Sequence, residues 1–527
     1  MLRRLLLGSS VLIAALALFL SQWPMSSTPY IPSTIGRNNT VLFIANFEFG
    51  LSNVHLATVH ALLERYPDIH VHFASFAPMA SRLERISEHG RQKTPSAQEV
   101  VFHALPAELS FATAMGLAGR TPASIIHRPG RVGIDTVCKD MSFLVSPWSG
   151  EVHMAIYQRL SEITDEVDPA VVVTDIFFRP AIDAIRKQNR LHAFVVPNLA
   201  IDTFPLEQPY LGWLWKYPVM GTGIPYPVPW SRILENIYLN LQYFYTLIFM
   251  PHFRETQKFL VSKGLTDPVN FFKLHGSNVP WFTQSLLEAS IPLDVIPQNV
   301  TYTGPISFSL STVEEESPDL AQWLARAPTV LVNLGSFFLW SEGKAAAMAQ
   351  AIADLLLEET DLQVLWKFRK GADDATGETY SDEFLAPLRP FFEDGRVKME
   401  SWLAVEPTAL LETGHIIASV HHGGAGCFNE ALGTGVPQIL LPQWLDHYSL
   451  TQSAQYIGVG IWACQETSPL FTTECLRDAL SVVTGKSDMS IAMREKAKRI
   501  ADTVQRNPGR YIVAREIAKL AASGHRS

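Results

Sequence analysis

A strand that runs into a glycine-rich turn and then into a helix limits what this chain can fold into more than any other segment. The apolar residues 416–420 lead to His421 and His422, and residues 423–426, with the sequence GGAG, follow directly. Residues 427–432 have a helical composition. The turn would therefore present free backbone N–H groups at the positive end of a helix, where a diphosphate fits. By itself this signal is weak, since two glycines before a helix usually form only a tight connection.

Two carboxylates downstream of the turn fall where they could bind hydroxyl groups. Glu430 lies one turn into the predicted helix, so it could accept hydrogen bonds from two neighbouring hydroxyls of a ribose or a sugar. A second predicted strand, residues 438–441, leads to Asp446, which could hold another set of hydroxyls. A diphosphate turn followed by two such carboxylates indicates a nucleotide-sugar site.

In their order along the chain, these residues resemble the donor-binding signature of the UDP-glycosyltransferase family, inverting enzymes of the GT-B fold that glycosylate small molecules. The resemblance implies that His422 and the turn at Gly424 bind the diphosphate, with Gly426 as a neighbouring backbone donor. Cys427 stands where the family has a Ser or Thr that contacts phosphate. Glu430 would then bind the ribose hydroxyls.

The resemblance implies further donor contacts. Asp446 and His447 fall on the pair that grips the hydroxyls of the sugar, although many members have Gln in place of His447. Residues 329–334 form a predicted strand that ends at Ser336 in a second phosphate-facing turn. Trp402 falls where the family stacks a Trp on the uracil ring, a contact worth about 1 kcal/mol beyond area burial. An isolated Trp more often packs in a core, but its spacing from the glycine turn favours stacking.

Predicted strands alternate with helical stretches in both halves, which is typical of parallel α/β units. The predicted strands are residues 41–46, 69–75, 170–175 and 192–197 in the first half and 329–334, 363–368, 416–421 and 438–441 in the second. The resemblance implies a GT-B fold of two Rossmann-like domains that face each other across a cleft, with ligands at the carboxyl ends of the strands.

Five segments are expected along the chain. They are an N-terminal signal-anchor segment, an acceptor-binding domain, a linker rich in Pro, Ser and Glu, a UDP-sugar-binding domain, and C-terminal helices that cross back to the N-terminal domain. Their predicted bounds are residues 1–27, 36–290, 291–328, 329–485 and 486–527. Residues 300–302, inside the predicted linker, are strand-like.

Composition argues against several other kinds of protein. With 527 residues, 47% of them hydrophobic and 18% charged, the chain can bury two cores. A formal net charge of −9 without a basic block argues against nucleic acid as a partner. The spacing of the cysteines fits neither a disulfide framework nor a zinc site, and these residues are Cys138, Cys427, Cys464 and Cys475. No metal or cofactor is expected, because the UDP-sugar is a co-substrate.

The first residues predict a membrane anchor. Arg3 and Arg4 precede the apolar residues 5–20, a run that is long for a signal peptide and slightly short for a spanning helix. No small-x-small cleavage site follows it. An uncleaved single-pass anchor would place the catalytic body in the lumen, with the endoplasmic reticulum as the expected compartment. Asn38 and Asn299 begin N-glycosylation sequons that could be used there.

Two aromatic and apolar segments are candidates for the acceptor-binding region. Residues 210–229 are dense in Trp, Tyr, Pro and Gly, and residues 233–250 are nearly all apolar, with Glu235 as the charged exception. A lipophilic small-molecule acceptor such as a polyketide, terpenoid, sterol or lipid alcohol would suit these segments. The second segment could equally be a buried core helix or a helix on the membrane surface.

The resemblance breaks down at the catalytic base. An inverting transfer needs a group that takes the proton of the acceptor hydroxyl, and the family uses a His oriented by an Asp. Leu51 stands at the position of this His, whereas Asp175 matches the Asp. Three alternatives follow: His55, one turn further on, reaches the cleft; Glu48 or Asp175 acts directly; or activity has been lost.

These expectations together predict a membrane-anchored, UDP-sugar-dependent hexosyltransferase that moves a sugar, by default glucose, to a hydroxyl of a lipophilic small molecule. The alternative is a catalytically silent nucleotide-sugar-binding or scaffold subunit, which Leu51 suggests. An oxidoreductase is disfavoured, because no Gly-x-Gly-x-x-Gly motif follows the first predicted strand.

Overall fold

Two parallel β-sheets, one from each half of the chain, form the framework of the computed structural model. The structure describes residues 32–525 except 106–112, 114, 115, 118, 121, 273, 275, 277 and 373–376. The strands of the N-terminal half are β1 (Arg37–Ile44), β2 (His70–Ser75), β3 (Val101–Ala104), β4 (Pro169–Thr174), β5 (His192–Val196), β6 (Trp281–Thr283) and β7 (Val300–Tyr302). Those of the C-terminal half are β8 (Thr329–Val332), β9 (Gln363–Lys367), β10 (Val397–Glu400), β11 (Ile416–His421), β12 (Gln438–Leu440) and β13 (Gly460–Trp462).

Helices connect these strands and cover both faces of each sheet. In the first half they are α1 (Phe49–Arg65), α2 (Ala80–Lys93), α3 (Arg131–Val145), α4 (Gly150–Val167), α5 (Arg179–Lys187), α6 (Ala200–Thr203), α7 (Gly212–Trp215), α8 (Ile233–Phe249) and α9 (Pro251–Ser262). In the second half they are α10 (Val313–Glu316), α11 (Pro318–Leu324), α12 (Glu342–Glu358), α13 (Arg389–Glu393), α14 (Pro407–Glu412), α15 (Ala425–Thr434), α16 (Asp446–Ile457), α17 (Thr473–Thr484), α18 (Asp488–Arg506) and α19 (Gly509–Ala521). Short 3₁₀ helices span Ala77–Met79, Pro122–Ile125, Pro209–Leu211, Trp230–Arg232 and Asp382–Leu388.

The order of the strands places a crevice in each sheet. The first sheet runs β3-β2-β1-β4-β5-β6-β7 and the second runs β10-β9-β8-β11-β12-β13. Every residue of β4 and β8 is buried, as expected of parallel strands that are covered on both faces. The order reverses between β1 and β4 and between β8 and β11, and ligands bind at the carboxyl ends of strands at such points. The predicted pair of parallel α/β domains is confirmed.

The last two helices join the halves. Ala497, Ile500 and Val504 of α18 share an apolar cluster with Phe428 and Leu432 of α15. The next helix, α19, packs instead in the core of the first sheet, where Val513, Ala514 and Ile517 are fully buried. The chain therefore returns to the N-terminal domain after completing the C-terminal one.

The predicted linker, residues 291–328, starts too early. Strand β7 lies inside it and pairs in parallel with β6, so residues up to Tyr302 belong to the first sheet. A strand of this length gives little apolar periodicity, and its pairing partner, not its own sequence, fixes it in the sheet.

The prediction that the cysteines form no disulfide framework is wrong for one pair. Cys464 and Cys475, separated by 11 positions, form a disulfide. The turn after β13 and the first turn of α17 bring their Cα atoms to 5.2 Å. Spacing along the chain could not indicate this pair, because the contact depends on how two elements pack.

The predicted membrane anchor, residues 1–27, lies outside the described residues. Within the described part of the chain, no helix is both long and apolar enough to cross a membrane. At the predicted glycosylation site, the Asn299 amide donates hydrogen bonds to the carbonyl oxygens of Gly276 and Val279 at 3.1 and 2.6 Å. A glycan on that nitrogen would remove at least one of them. The compartment of the protein stays a prediction.

Candidate functional site

A cavity of about 1240 Å³ lies between the two domains. Its walls include residues that follow β1 and β4 of the first sheet and residues that follow β8 and β11 of the second. Most sites for a single small ligand measure roughly 300–1,000 Å³. This cavity is therefore large enough for two ligands side by side.

All the predicted donor-binding residues line this cavity. They follow β8, β10, β11 and β12, strands whose carboxyl ends lie at one edge of the second sheet. The residues are Ser336, Trp402, His422, Gly424, Gly426, Cys427, Glu430, Asp446 and His447. The structure thus brings together side chains that are spread over more than a hundred positions of the sequence.

The ring of His422 is held between two glycine turns. Gly335 has a φ of +84°, and a Cβ on it would lie 2.6 Å from Cε1 of His422. A Cβ on Gly424 would lie 2.4 Å from Nε2 of the same ring. Both positions require glycine, because the imidazole occupies the space of a side chain. Burial lowers the pKa of His422 to about 3, so the ring is neutral and carries one N–H donor.

The amino end of α15 faces the cavity. Gly424 is its N-cap residue and has no side chain to occupy the first N–H groups of the helix. Gly426 and Cys427, in the first turn, line the cavity. Burial raises the pKa of the Cys427 thiol, so it stays neutral. This end of the helix can therefore receive an anionic group through backbone donors.

Two cationic side chains, which the sequence analysis missed, adjoin this turn. Lys367 and Arg369 lie at the end of β9, and both line the cavity. The Lys367 ammonium donates to the carbonyl oxygen of Gly335 at 3.2 Å, and the Arg369 guanidinium donates to that of Ser336. Burial lowers the pKa of Lys367 to about 8. Strand β9 lies beside β8, and residues that follow neighbouring parallel strands meet at one edge of the sheet. This placement is the signal that could have identified Lys367 and Arg369.

Glu430 lies deeper along α15, with 9% of its surface exposed. Burial raises the pKa of its carboxyl to about 7, repulsion from Glu406 adds to the rise, and Lys367 opposes it. A ligand hydroxyl that donates to this carboxylate would favour its charged form.

Trp402 lines the end of the cavity where the uracil ring is predicted to bind. Its side chain is 47% exposed. The Lys367 ammonium lies 3.7 Å from the centre of the ring, and the Phe49 ring of the N-terminal domain lies 5.9 Å away. The predicted uracil end of the cavity is therefore where the start of α1 meets the second domain.

The predicted sugar end adjoins the diphosphate turn. The rings of His447 and His422 are perpendicular with centres 4.4 Å apart, and Trp444 lies 4.2 Å from His447. Burial lowers the pKa of His447 well below its ordinary value. Asp446 begins α16, and burial raises the pKa of its carboxyl to about 6.

The expectation that His55 reaches the cleft is wrong. It is fully buried in α1, with its ring edge-on to Phe43, and it does not line the cavity. Neither ring nitrogen has a hydrogen-bond partner among the described residues. Burial lowers its pKa to about 3. The part of α1 that carries His55 is packed in the apolar core of the first sheet, so the side chain does not reach the cavity.

Asp175 follows β4 as predicted, but it does not line the cavity. Its Oδ1 accepts hydrogen bonds from the backbone N–H groups of Phe177 and Phe178 at 2.6 and 3.0 Å. The residue is fully buried and behind the cavity wall. The structure therefore does not place Asp175 where it could take a proton directly. Glu48, at the N-cap of α1, does line the cavity, as does Leu51.

The part of the cavity lining that comes from the N-terminal domain is rich in apolar and aromatic residues. Helix α8, which covers most of the segment of residues 233–250, turns Tyr243, Phe244 and Leu247 toward the cavity. Other lining residues from this half are Met141, Phe143, Leu144, Trp148, Trp213, Phe271 and Leu274. Leu234, on the outer face of α8, is 82% exposed. This helix therefore forms part of the cavity wall.

The nearby described side chains do not form a metal centre. No group of three or more His, Cys, Asp or Glu residues in the described part of the chain could hold a metal ion.

Comparison with known proteins gives the class of this one. Residues 396–520 match the family described as erythromycin biosynthesis protein CIII-like, C-terminal domain. The chain is 36% identical over 439 residues to glycosyltransferase sdnJ of Sordaria araneosa, which covers 82% of this chain and 84% of that protein. It is 25% identical over 325 residues to the 2-hydroxyacylsphingosine 1-beta-galactosyltransferase of Mus musculus, which covers 56% and 53% of the two chains.

Solved structures agree on the fold. A UDP-glucosyltransferase from Polygonum tinctorium aligns with a TM-score of 0.59 at 14% identity, over 93% of this chain and 99% of that one. A UDP-glucose:anthocyanidin 3-O-glucosyltransferase in complex with UDP aligns with a TM-score of 0.54 at 16% identity, over 92% and 99%. The chain belongs to the UDP-glycosyltransferase family, has its GT-B fold, and is a glycosyltransferase.

Proposed function

We propose that this protein transfers a sugar, by default glucose, from a UDP-sugar to a hydroxyl of a lipophilic small molecule, with inversion at C1. The observation that carries the proposal is one cavity that combines an anion-receiving helix end from the C-terminal domain with apolar and aromatic side chains from the N-terminal domain. The helix end suits a diphosphate and the apolar side chains suit a lipophilic acceptor. Glucose is favoured because the similar solved structures include enzymes described as glucosyltransferases.

Each donor contact has a proposed role in this reaction. The diphosphate would accept hydrogen bonds from His422 and from the first N–H groups of α15, with Lys367 nearby as a positive charge. These groups would stabilise the charge that develops as the C1–O bond to the diphosphate breaks. Glu430 would hold the ribose hydroxyls, and Asp446 and His447 those of the sugar.

A lumenal location is proposed as well. The Cys464–Cys475 disulfide supports it, because disulfides persist mainly in oxidising compartments such as the endoplasmic reticulum. Residues 1–27, the expected anchor, are not among the described residues.

Donor binding can be tested by titrating UDP into the full-length protein in a calorimeter. His422→Ala and Glu430→Ala should each weaken binding by about 1.5–3 kcal/mol, the range for a lost charge-assisted hydrogen bond. Glu358→Ala removes a carboxylate from the exposed end of α12, outside the cavity, and serves as the matched control.

Transfer is then followed as UDP release and product mass with UDP-glucose, UDP-galactose and UDP-glucuronate and a panel of lipophilic alcohols. Unchanged UDP affinity in both cavity variants would contradict the donor assignment. Transfer from UDP-galactose or UDP-glucuronate in preference to UDP-glucose would contradict the choice of sugar.

A further inference from the structure

The reaction needs a proton acceptor on the acceptor side of the cavity. Leu51 has no titratable group, His55 is in the core, and Asp175 is behind the wall. Among the described residues, the carboxylates that line the cavity are Glu48, Asp202, Glu316, Glu406, Glu430 and Asp446.

Four of these carboxylates are committed elsewhere. Glu316 pairs with Arg85 at 2.9 Å, and Glu406 accepts a hydrogen bond from the backbone N–H of Leu310 at 2.9 Å. Glu430 and Asp446 belong to the proposed donor contacts. The histidines of the cavity, His422 and His447, lie on the proposed donor side, where their lowered pKa values make them weak proton acceptors. The positions of Glu48 and Asp202 in the cavity are left to compare.

Glu48 and Asp202 lie at different ends of the cavity. Glu48 precedes Phe49, whose ring meets Trp402 at the proposed uracil end of the cavity. Asp202 lies at the other end, close enough to Asp446 for their charges to interact and to Ser449 for a hydrogen bond. Both of those residues belong to α16, which begins the proposed sugar site. Asp202 is therefore the acid that faces the sugar, whose C1 is attacked.

The short helix α6 holds Asp202 in this place. It follows β5, so it leaves the carboxyl edge of the first sheet. The Ser285 hydroxyl accepts a hydrogen bond from the backbone N–H of Ala200 at 2.9 Å. Ile201 packs in an apolar cluster that also contains Phe428 and Leu450 of the donor domain. Asp202 is thereby fixed at the contact between the two domains.

The surroundings of Asp202 suit proton transfer near neutral pH. Its Oδ2 is buried and has no hydrogen-bond partner among the described residues. Burial raises the pKa of its carboxyl to about 7; the hydrogen bond with Ser449 opposes the rise, and repulsion from Asp446 adds to it. A base is most effective when its pKa lies near the working pH.

We propose that Asp202 is the catalytic base of the transfer, an assignment that rests on the proposed function. The Asp202 carboxylate accepts the proton of the acceptor hydroxyl while that oxygen forms its bond to C1 of the sugar. The bond between C1 and the diphosphate oxygen breaks at the same time, and its electron pair leaves with UDP at the amino end of α15. The products are the glycoside, UDP and a proton that Asp202 passes to water.

The test compares two acceptors in the full-length enzyme. An aliphatic alcohol must lose a proton to react, whereas 2,4-dinitrophenol, the nitrophenol used here, is almost fully ionised at neutral pH and needs no base. Asp202→Asn should lower kcat with the alcohol by a factor on the order of 10²–10⁴ and with the nitrophenol by less than about tenfold. UDP affinity should stay within about twofold. The fall of kcat/KM below about pH 7 should be absent in this variant.

Matched variants make the result specific. Glu207→Gln changes a half-buried acid of the same segment that does not line the cavity, and should keep wild-type turnover with both acceptors. Glu48→Gln tests the remaining candidate. Asp202→Ala leaves space for a small anion, so added formate should restore part of its turnover with the alcohol. This rescue tests the base role independently, so the proposal can still be tested if the Asn variant folds poorly.

Three results would overturn the assignment. Unchanged turnover of Asp202→Asn with the alcohol would exclude the base role. Equal losses with alcohol and nitrophenol would show that Asp202 only positions the acceptor. An alcohol-specific loss in Glu48→Gln would move the role to Glu48. A wild type that binds no UDP would instead contradict the proposed function itself, and the base assignment would fall with it.

Discussion

His55 lies in the core of the N-terminal domain, with its ring centre 6.2 Å from that of Phe43 and both ring nitrogens without a partner among the described residues. Two unsatisfied polar atoms in an apolar core lower stability, since their hydrogen bonds to water are lost on folding. The imidazole must also stay neutral there. His55 therefore lowers the stability of the folded protein and makes that stability sensitive to acid.

At the residue scale, His55→Leu should stabilise the fold against acid and leave turnover unchanged. The pKa of His55 is about 3 in the folded protein and 6.5 in the unfolded chain. The unfolded chain therefore binds the proton first, and stability is lost as pH falls from 6.5 toward 3, by about 1.4 kcal/mol per pH unit. Denaturant titrations across this range should show a shallower fall for the variant.

The matched control for this prediction is His70→Leu, which replaces an exposed histidine at the start of β2. It should keep the wild-type dependence on pH. A large loss of turnover in His55→Leu would instead return His55 to the catalytic candidates.

The placement of the proposed donor residues in one cavity could be predicted because they lie in compact signatures, each a strand end and the turn after it. His422, Gly424 and Glu430 fall within nine positions of one another. Asp202 could not be found this way. It lies on a four-residue helix, and only the packing of α6 against the C-terminal domain brings it to the proposed sugar end of the cavity.

At the element scale, the site depends on how β8 and β11 end. Gly335 and Gly424 come from the turns after these two neighbouring strands, and the His422 ring fills the space that their side chains would occupy. The longer buried strands were predictable from their apolar runs. Strands β3, β6, β10 and β13, of three or four residues each, were missed because such short runs show little periodicity, and their neighbours supply the pairing.

Gly335→Ala should therefore weaken UDP binding through His422. Its φ of +84° is strained for alanine, and the new Cβ would lie 2.6 Å from the ring, which must move. We expect at least an about tenfold rise in the Kd for UDP, equivalent to about 1.4 kcal/mol. In Gly343→Ala, the new Cβ would meet no atom within 4 Å, in the first turn of α12, so the affinity should not change. Equal calorimetric affinities for the two variants would show that the ring does not bind the diphosphate.

At the scale of the whole molecule, the two domains are tied at several points. The backbone N–H of Leu445 donates to Nε2 of His127 at 2.8 Å, and the backbone N–H of His127 donates to the carbonyl oxygen of Gln443 at 3.0 Å. Helices α18 and α19 add a continuous connection from the core of the C-terminal domain to that of the N-terminal domain. The crossing back was expected from the resemblance, whereas the His127 contacts had no local signal, since the contact with Leu445, for example, joins residues 318 positions apart.

Ile517→Ala tests whether α19 stabilises the N-terminal domain. Ile517 is fully buried against the first sheet, so truncation should cost about 2–5 kcal/mol through lost burial and the cavity left behind. Ile491→Ala makes the same change on α18 at a side chain that is 43% exposed, and it should cost much less. Scanning calorimetry with and without UDP locates the effect, because UDP stabilises the domain that binds it. We expect Ile517→Ala to produce an early transition that UDP does not shift, followed by a later one that it does. Equal losses in the two variants would mean that α19 contributes no more to the core than a surface position.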